Sequence, residues 1–359
     1  MIHLKTFNKK QLEIFVSSGE FQQYDFLPIT EHRAKSHIAN PKATDDQILL
    51  ILAFDDEKLA GYLGCLPDEF TIDDKIFRYA WLSTLFISDE FRGKRIAQTL
   101  LNKAFDEYDG NIAITEFTKE AESLYNKIGV FKYIKPKEGK RYYFRTDLET
   151  IIPLKKEKTK PFKPVFKMAD SIANFIISIK NSFVKQPNFP FEILDKIDKE
   201  STDFIEKYKS NRTAEEINWA IENPWILEGE KADENYLFSS YSQNFKYLWV
   251  KVYCDNNNLI TCSLLMLRDG HLKIPYLFSN DDLTQFIYFI SYFTVENNVK
   301  MMTSYQTELN EKIDSTLYFP NIHQRKVERR YMFHQKLLAH LPKDFNPDFQ
   351  DGDGDCLMT

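Results

Sequence analysis

Three basic residues around one glycine, Arg92-Gly93-Lys94-Arg95, stand where an apolar run gives way to a helical pattern. The run before them, Trp81 to Ile87 (WLSTLFI), has the length and the aromatic and β-branched content of a buried strand. A polar turn, Ser88-Asp89-Glu90, follows, and Ile96 to Tyr108 reads as a helix. The first N–H groups of a helix have no partner inside it and sit at the positive end of its dipole. Full charges on Arg92, Lys94 and Arg95 add to that field at one spot. Such a turn is suited to a pyrophosphate.

The segment from Arg92 to Ala97 resembles the acyl-CoA-binding signature of the GNAT acetyltransferases. That signature is a glutamine or arginine, two residues, a glycine, one residue, then glycine or alanine. Arg92 fills the first place and Ala97 the last, while Arg95 stands where the inner glycine is usual. A side chain there takes room that the backbone needs to approach phosphates. Either Arg95 points outward and grips a phosphate with its guanidinium, or the site is degraded. Further on, Asn111 to Phe117 (NIAITEF) reads as another buried strand, and Lys119 to Ile128 (KEAESLYNKI) as a helix. Ala121, Leu124, Tyr125 and Ile128 share one face of it, and Gly129 closes it as a C-terminal cap. This stretch is similar to the second GNAT signature, whose tyrosine lies near the acyl sulfur.

The resemblance implies an N-acyltransferase that moves an acetyl group from acetyl-CoA to a primary amine of a small molecule. In that fold two parallel strands splay apart, and the pantetheine arm pairs with the strand before the phosphate turn, here through the backbone of Leu85, Phe86 and Ile87. Arg92, Gly93, Lys94, Arg95, Ile96 and Ala97 would bind the phosphates. Tyr125 would protonate the departing thiolate, for which a phenol with a reference pKa near ~10 is suited; its plain alternative is a core residue on a helix face. Glu116, at the end of the strand before that helix, is the first candidate for the base that deprotonates the amine, and a solvated strand end is its plain alternative. Thr115 and Thr84 could orient a water, and Glu31 and His32 lie in the segment that often covers the acceptor.

The elements needed to position these residues follow in order. A strand covers Ile2 to Phe7, and a helix runs from Lys9 to about Phe21. A second helix follows a Thr30 cap, and a hairpin joins Gln47–Phe54 to Leu59–Leu66. A closing strand is expected near Lys140 to Thr146. The expected fold class is α/β, a mixed-sheet GNAT domain over residues 1–150. A proline- and lysine-containing connector over 151–167 reads as an extended linker. A second, degenerate GNAT-like domain over 168–345 repeats the order of helices, hairpin and strands. Its parts include helices over Met168–Val184 and Phe191–Lys209, a capping box at Thr213, and a last strand over Arg329–Leu337. The turn Ser279-Asn280-Asp281-Asp282 is acidic and carries no phosphate signature. Trp219, Trp225 and Trp249 either stack on a sugar or fill a core.

An acidic tail occupies 346–359. Its alternating Asp351, Asp353 and Asp355 resemble the start of a calcium loop, but no glutamate follows at the twelfth place, and no metal is expected. The tail could bind a cationic amino group or be a disordered end. Together with the tandem layout it resembles bacterial GNAT proteins of surface-polysaccharide synthesis, which raises an amino sugar as acceptor. The alternatives are a scaffold whose CoA site is closed by Arg95, and an aminoacyl transferase of the tandem type.

Length and charge bound the rest. A chain of 359 residues suits two domains, and 43% hydrophobic and 15% aromatic content can fill two cores. A net charge of −6 argues against general nucleic-acid binding. No apolar run is long enough for membrane insertion and the N-terminus has no signal-peptide core, so a cytoplasmic location is expected. The four cysteines show no zinc spacing and are expected to be reduced. Oligomeric state is unknown from the sequence.

Overall fold

The structure is a computed structural model, and it describes residues 1–72, 75–230, 233–280, 282–343 and 345–358. Asp281 of the acidic turn and Thr359 of the tail lie outside the described residues. The first part of the chain forms β1 (Ile2–Phe7), α1 (Lys9–Ser17), α2 (Glu31–Ala39), β2 (Leu50–Asp55), β3 (Lys58–Ile72) and β4 (Lys75–Ile87). Then come α3 (Ile96–Glu107), β5 (Ile112–Thr115), α4 (Lys119–Ile128), β6 (Phe131–Tyr133), β7 (Lys137–Tyr143), α5 (Leu148–Lys155) and α6 (Lys163–Asn181). The chain continues through β8 (Phe191–Leu194), α7 (Lys199–Ile205), α8 (Ala214–Glu222), β9 (Leu227–Glu228), β10 (Tyr241–Ser242), β11 (Phe245–Tyr253) and β12 (Leu259–Arg268). It ends with β13 (His271–Ser279), α9 (Thr284–Glu296), β14 (Met301–Ser304), α10 (Thr307–Ser315), β15 (His323–Arg329), β16 (Tyr331–His334) and α11 (Gln335–His340).

Two units are built from interleaved segments. Unit 1 takes Met1–Lys137, Tyr208–Gln243 and Arg329–Thr359; unit 2 takes Glu138–Lys207 and Asn244–Glu328. Unit 1 holds the sheet β1-β2-β3-β4-β5-β16-β6. Its middle strands are buried on both sides, which is why Leu50–Phe54 reads as a continuous apolar run. Ile96, Leu100, Leu101 and Ala104 of α3 close one face over Ile51, Ala53, Leu63 and Cys65. Leu12 and Phe15 of α1, with Phe7, Phe21 and Ala34, close the other. Each such side chain taken from water stabilises the fold by about 1.5–3 kcal/mol. Unit 2 holds the sheet β15-β7-β14-β13-β12-β11-β8, covered by Phe286, Ile287, Phe289, Ile290 and Phe293 of α9.

The division differs from the consecutive domains expected from the sequence. The strand expected near 140–146 forms as β7 but pairs with β14 in the second sheet, and β16 takes the place beside β5 in the first. Burial accounts for the exchange. All four residues of β16 are buried, like the four of β5 beside it, whereas β7, inside the second sheet, carries Lys137, Glu138, Lys140 and Arg141 and is only partly covered. The connector over 151–167 is helical rather than extended. Pro164 lies in the first turn of α6, where a missing N–H costs no helical bond. Asp170 caps α5 by accepting the N–H groups of Leu148 and Glu149, both at 2.9 Å. The helix expected over 191–209 is replaced by β8 and α7, with Asp198 capping the latter. The strand expected over 329–337 stops at His334, where α11 begins. The tail is folded: Asp351 through Met358 are buried.

Candidate functional site

Strand pairing opens the site. β4 and β5 are parallel neighbours only at Ala80–Ile112 and Trp81–Ala113. Beyond Trp81, β4 stays paired with β3 but has no strand on its β5 side among the described residues. The cause is a bulge at Ser83, which is the extra residue between Leu82, opposite Cys65, and Thr84, opposite Gly64. A bulge bends its strand and sharpens the local twist, so β4 turns away from β5. Gly64 is what makes room: a Cβ there would stand 2.5 Å from Ser83 Oγ and 2.9 Å from Thr84 Oγ1. Leu85, Phe86 and Ile87 lie on the diverging part of β4, each half-buried. The Phe86 ring packs edge-on against Phe26 and tilted against Tyr62, with centroids 5.0 and 5.6 Å apart.

At the far end of β4 the basic turn has the expected shape. Arg95 has φ 61° and ψ 18°, the left-handed conformation that a glycine would supply, and the first helical bond runs from the Thr99 N–H to its carbonyl at 3.1 Å. A non-glycine residue held there costs about 1–2 kcal/mol. The Arg95 side chain is exposed and makes no ion pair among the described residues, so it leaves the turn open. Lys94 reaches Asp55 at 2.7 Å and Arg92 reaches Asp89 at 2.7 Å; both pairs are solvent-exposed and easily exchanged for a stronger anion. The N–H groups of Ile96, Ala97 and Gln98 are the orphan donors of α3. Gly93, at φ 86°, has nothing within 4 Å of where a Cβ would be. These residues fit a phosphate-bearing ligand.

Tyr125 sits on α4, buried, edge-on to Phe117 and Phe131. Burial, and then the charge of Asp355, hold its phenol proton more tightly than in water. Glu116 follows β5 directly, with φ 50°, and forms an ion pair with Arg329 at 2.9 Å. Thr84 and Thr115 are both buried at the opening. Glu31 is turned to solvent and pairs with Lys35 at 2.6 Å, whereas His32 Nε2 donates to the Trp225 carbonyl at 2.9 Å.

The folded tail enters this opening. A Cβ on Gly354 would touch both the Trp81 ring and the Thr115 methyl, at 3.3 and 3.4 Å, so the tail packs against side chains of both β4 and β5. Three of its groups are tied down: Arg329 grips the Asp351 carboxylate at 2.9 Å, Asn211 donates to Asp353 at 3.0 Å, and Arg212 joins Asp68 at 3.0 Å and the Gly354 carbonyl at 3.4 Å. Asp355 differs. It is 7% exposed, and its Oδ1 has no hydrogen-bond partner among the described residues. Burial first, then the charge of Glu116, push its carboxyl up to about 7, against the opposing pull of Arg33 and Arg329.

Arg33 organises the other wall. It lies 3.6 Å over the Trp225 ring and donates to the Ser83 carbonyl at 3.1 Å and to Tyr236 Oη at 3.3 Å, which fixes the bulge. His37 stacks on Trp225 at 5.1 Å and is held neutral, pushed down to about 3 by burial and by Arg33. Trp219, Trp225 and Trp249 are all buried, with each indole N–H bonded to a serine oxygen, so they are core residues. Neither Arg33 nor Asp355 stands out in the sequence. Arg33 is one cation in a polar helix, and Asp355 is one aspartate of an alternating run.

A model of the Acetyltransferase (GNAT) family matches residues 14–130, which contain the splayed strands, the basic turn and α4. The matched residues all lie within unit 1. The fold is also that of a conserved Enterococcus faecalis protein described as a probable N-acyltransferase, with a TM-score of 0.52 and 12% identity over 96% of this chain and 74% of that one. A GCN5-related N-acetyltransferase from Anabaena variabilis gives 0.48 at 13% identity over 92% and 72%. Saccharomyces cerevisiae N-myristoyltransferase, crystallised with myristoyl-CoA and inhibitors, gives 0.49 at 12% over 92% and 80%. No curated protein matches the chain in sequence. Among the described residues of the protein, no group of three or more His, Cys, Asp or Glu side chains is placed to hold a metal ion. The alternating aspartates of the tail are instead engaged or enclosed by protein groups.

Proposed function

We propose that the GNAT domain is an N-acyltransferase that transfers an acetyl group from acetyl-CoA to a primary amine of a small-molecule acceptor, with an amino sugar as the first class to test. The observation that supports this reading is the divergence of β4 from β5, with a basic turn ahead of α3 beyond β4 and the buried Tyr125 and Asp355 close enough to feel each other's charge. Acetyl-CoA supplies an activated thioester. The turn from Arg92 to Ala97 binds its phosphates through backbone N–H groups and the Arg95 guanidinium. The backbone of Leu85, Phe86 and Ile87 aligns the pantetheine arm as an added strand and offers an N–H to the thioester carbonyl oxygen.

Asp355 takes the proton that the amine must lose. A carboxylate titrating near neutrality is half-ionised at the pH where it works and is basic enough to accept that proton. Glu116 remains a second candidate, already held in an ion pair by Arg329. Tyr125, which burial keeps protonated until the thiolate forms, is the donor assigned to the departing sulfur. Amine attack forms the amide bond, the C–S bond breaks, and the two protons pass to Asp355 and from Tyr125. No covalent enzyme intermediate is needed.

Calorimetric titration with acetyl-CoA tests the reading. Micromolar binding is expected, weakened at least about tenfold in an Arg92→Ala, Arg95→Ala double variant through loss of two charge-assisted contacts. Absence of binding in the parent protein would overturn it. Thiol release with amino sugars, alkyl amines and peptides then sorts the acceptor class.

A further inference from the structure

Helix α6 of unit 2 is sided the wrong way for a helix that faces water. Its inward contacts are polar. Asp170 caps α5, Asn174 accepts the Thr146 N–H at 2.9 Å and donates to its carbonyl at 3.0 Å, and Asn181 accepts the Tyr318 hydroxyl at 3.1 Å. Only Ile177 is an aliphatic side chain fully covered on that side. The opposite side carries Val165, Met168, Ile172, Phe175, Ile176 and Ile179, each between 55% and 67% exposed. At about 100° per residue these six span a sector of about 100°, roughly opposite the Asp170–Asn181 stripe. No charged residue falls inside the sector.

The apolar surface continues past the helix end. Phe183 is 80% exposed, and it shares a groove of about 1050 Å³ with Phe189, Tyr288, Leu317 and Tyr318. A contiguous apolar surface of this extent is unusual on a protein surrounded by water and marks an interaction face.

Charge identifies the occupant. Lys155, Lys156, Lys158, Lys160, Lys163 and Lys167 are all exposed, and Glu157, the one acidic residue among them, is paired with Lys160. On the helix itself Lys180 lies about 40° beyond one edge of the apolar sector and Lys167 about 80° beyond the other. The chain as a whole is acidic, so this concentration of lysine is local. The occupant must be apolar opposite the centre of the helix and anionic along its edges. Lysine stems can lie along such a boundary while their ammonium groups reach outward to phosphates. No helix among the described residues is long and apolar enough to cross a membrane, so α6 would lie in the plane of the surface.

We propose that α6 is an in-plane anchor that sets its outer apolar face into the headgroup–acyl boundary of an anionic lipid bilayer, with the lysines of 155–167 on the lipid phosphates. The inference is independent of the acyltransferase reading, because none of its residues belongs to the site in unit 1.

Flotation of the full chain with lipid vesicles tests it. Vesicles of phosphatidylcholine with about one-third phosphatidylglycerol should carry the protein, and vesicles of phosphatidylcholine alone should bind at least about tenfold less. An Ile172→Ser, Phe175→Ser, Ile176→Ser variant and a Lys158→Gln, Lys160→Gln, Lys163→Gln variant should each lose about tenfold in partition, and added salt should weaken the parent. Both sets of positions are exposed, so circular dichroism and acetyl-CoA binding should be unchanged. A Phe175→Trp variant should show a blue-shifted emission with anionic vesicles only. Binding that is equal across these variants would overturn the proposal. So would the absence of vesicle binding, or a dimer in sedimentation that the triple serine variant dissolves, which would assign the face to a second copy of the chain.

Discussion

Replacing Asp355 with Asn should move activity and stability in opposite directions. The carboxyl has its ordinary value of 3.8 in the unfolded chain and about 7 in the folded one. Because the folded value is the higher, the folded state holds the proton more tightly. No stability is lost below pH 3.8, it falls as pH rises from there to 7, and it is level above. A gap of about three units at 1.36 kcal/mol each makes the ionised carboxylate cost about 4 kcal/mol at pH 8. Asn removes that cost but buries an amide whose N–H groups need partners, at about 1–3 kcal/mol. The variant should therefore be more stable than the parent by about 1–3 kcal/mol at pH 8, with the gain gone by pH 4.5. Urea unfolding at the two pH values reads this directly. In the same variant kcat should fall about 10²–10⁴-fold, and the limb near pH 7 in the kcat/KM profile should vanish, leaving the higher limb of the amine acceptor. A rate within about threefold of the parent, or a surviving limb near 7, would refute Asp355 as the proton acceptor. A stability difference that does not grow with pH would refute the buried charge itself.

Two further outcomes follow from the same site. Tyr125→Phe should lower kcat about 10²-fold or more while leaving the acetyl-CoA dissociation constant within about twofold, measured by thiol release and calorimetry; unchanged turnover would assign Tyr125 to packing alone. Gly64→Ala should destabilise unit 1 by about 1–3 kcal/mol and weaken acetyl-CoA binding, because the new methyl collides with the bulge at Ser83; a variant with parental melting temperature and affinity would show that the bulge does not set the opening.

The sequence showed the elements better than their partners. The apolar run of Trp81–Ile87, the basic turn and the α4 pattern are local signals, and the structure forms a strand, a turn and a helix at those places. Which strand lies beside β5 is not local. The stretches near 140–146 and over 329–337 both read as strands, and only the burial each position demands separates them. Periodicity likewise reveals that α6 has an apolar face, but not that the face points outward. That depends on Asp170, Asn174 and Asn181 finding partners on neighbouring elements. Asp355 was hidden for a related reason. An alternating acidic run reads as solvated, and nothing nearby in the chain announces that Arg329, Asn211 and Arg212 will draw its neighbours inward. The site residues that sequence alone could find are those whose chemistry depends on backbone geometry near them in the chain.

The placement of β16 and the folded tail has a consequence for the order in which the molecule is made. Synthesis delivers β1 to β5 early, but the sheet of unit 1 lacks the second neighbour of β5 until residues 331–334 exist, and Asp355 arrives later still. A domain that usually folds as its own residues emerge must here wait for the whole of unit 2 to be translated. Until then the β16 side of β5, a strand that is buried along its whole length in the folded protein, is an unpaired edge open to wrong pairing.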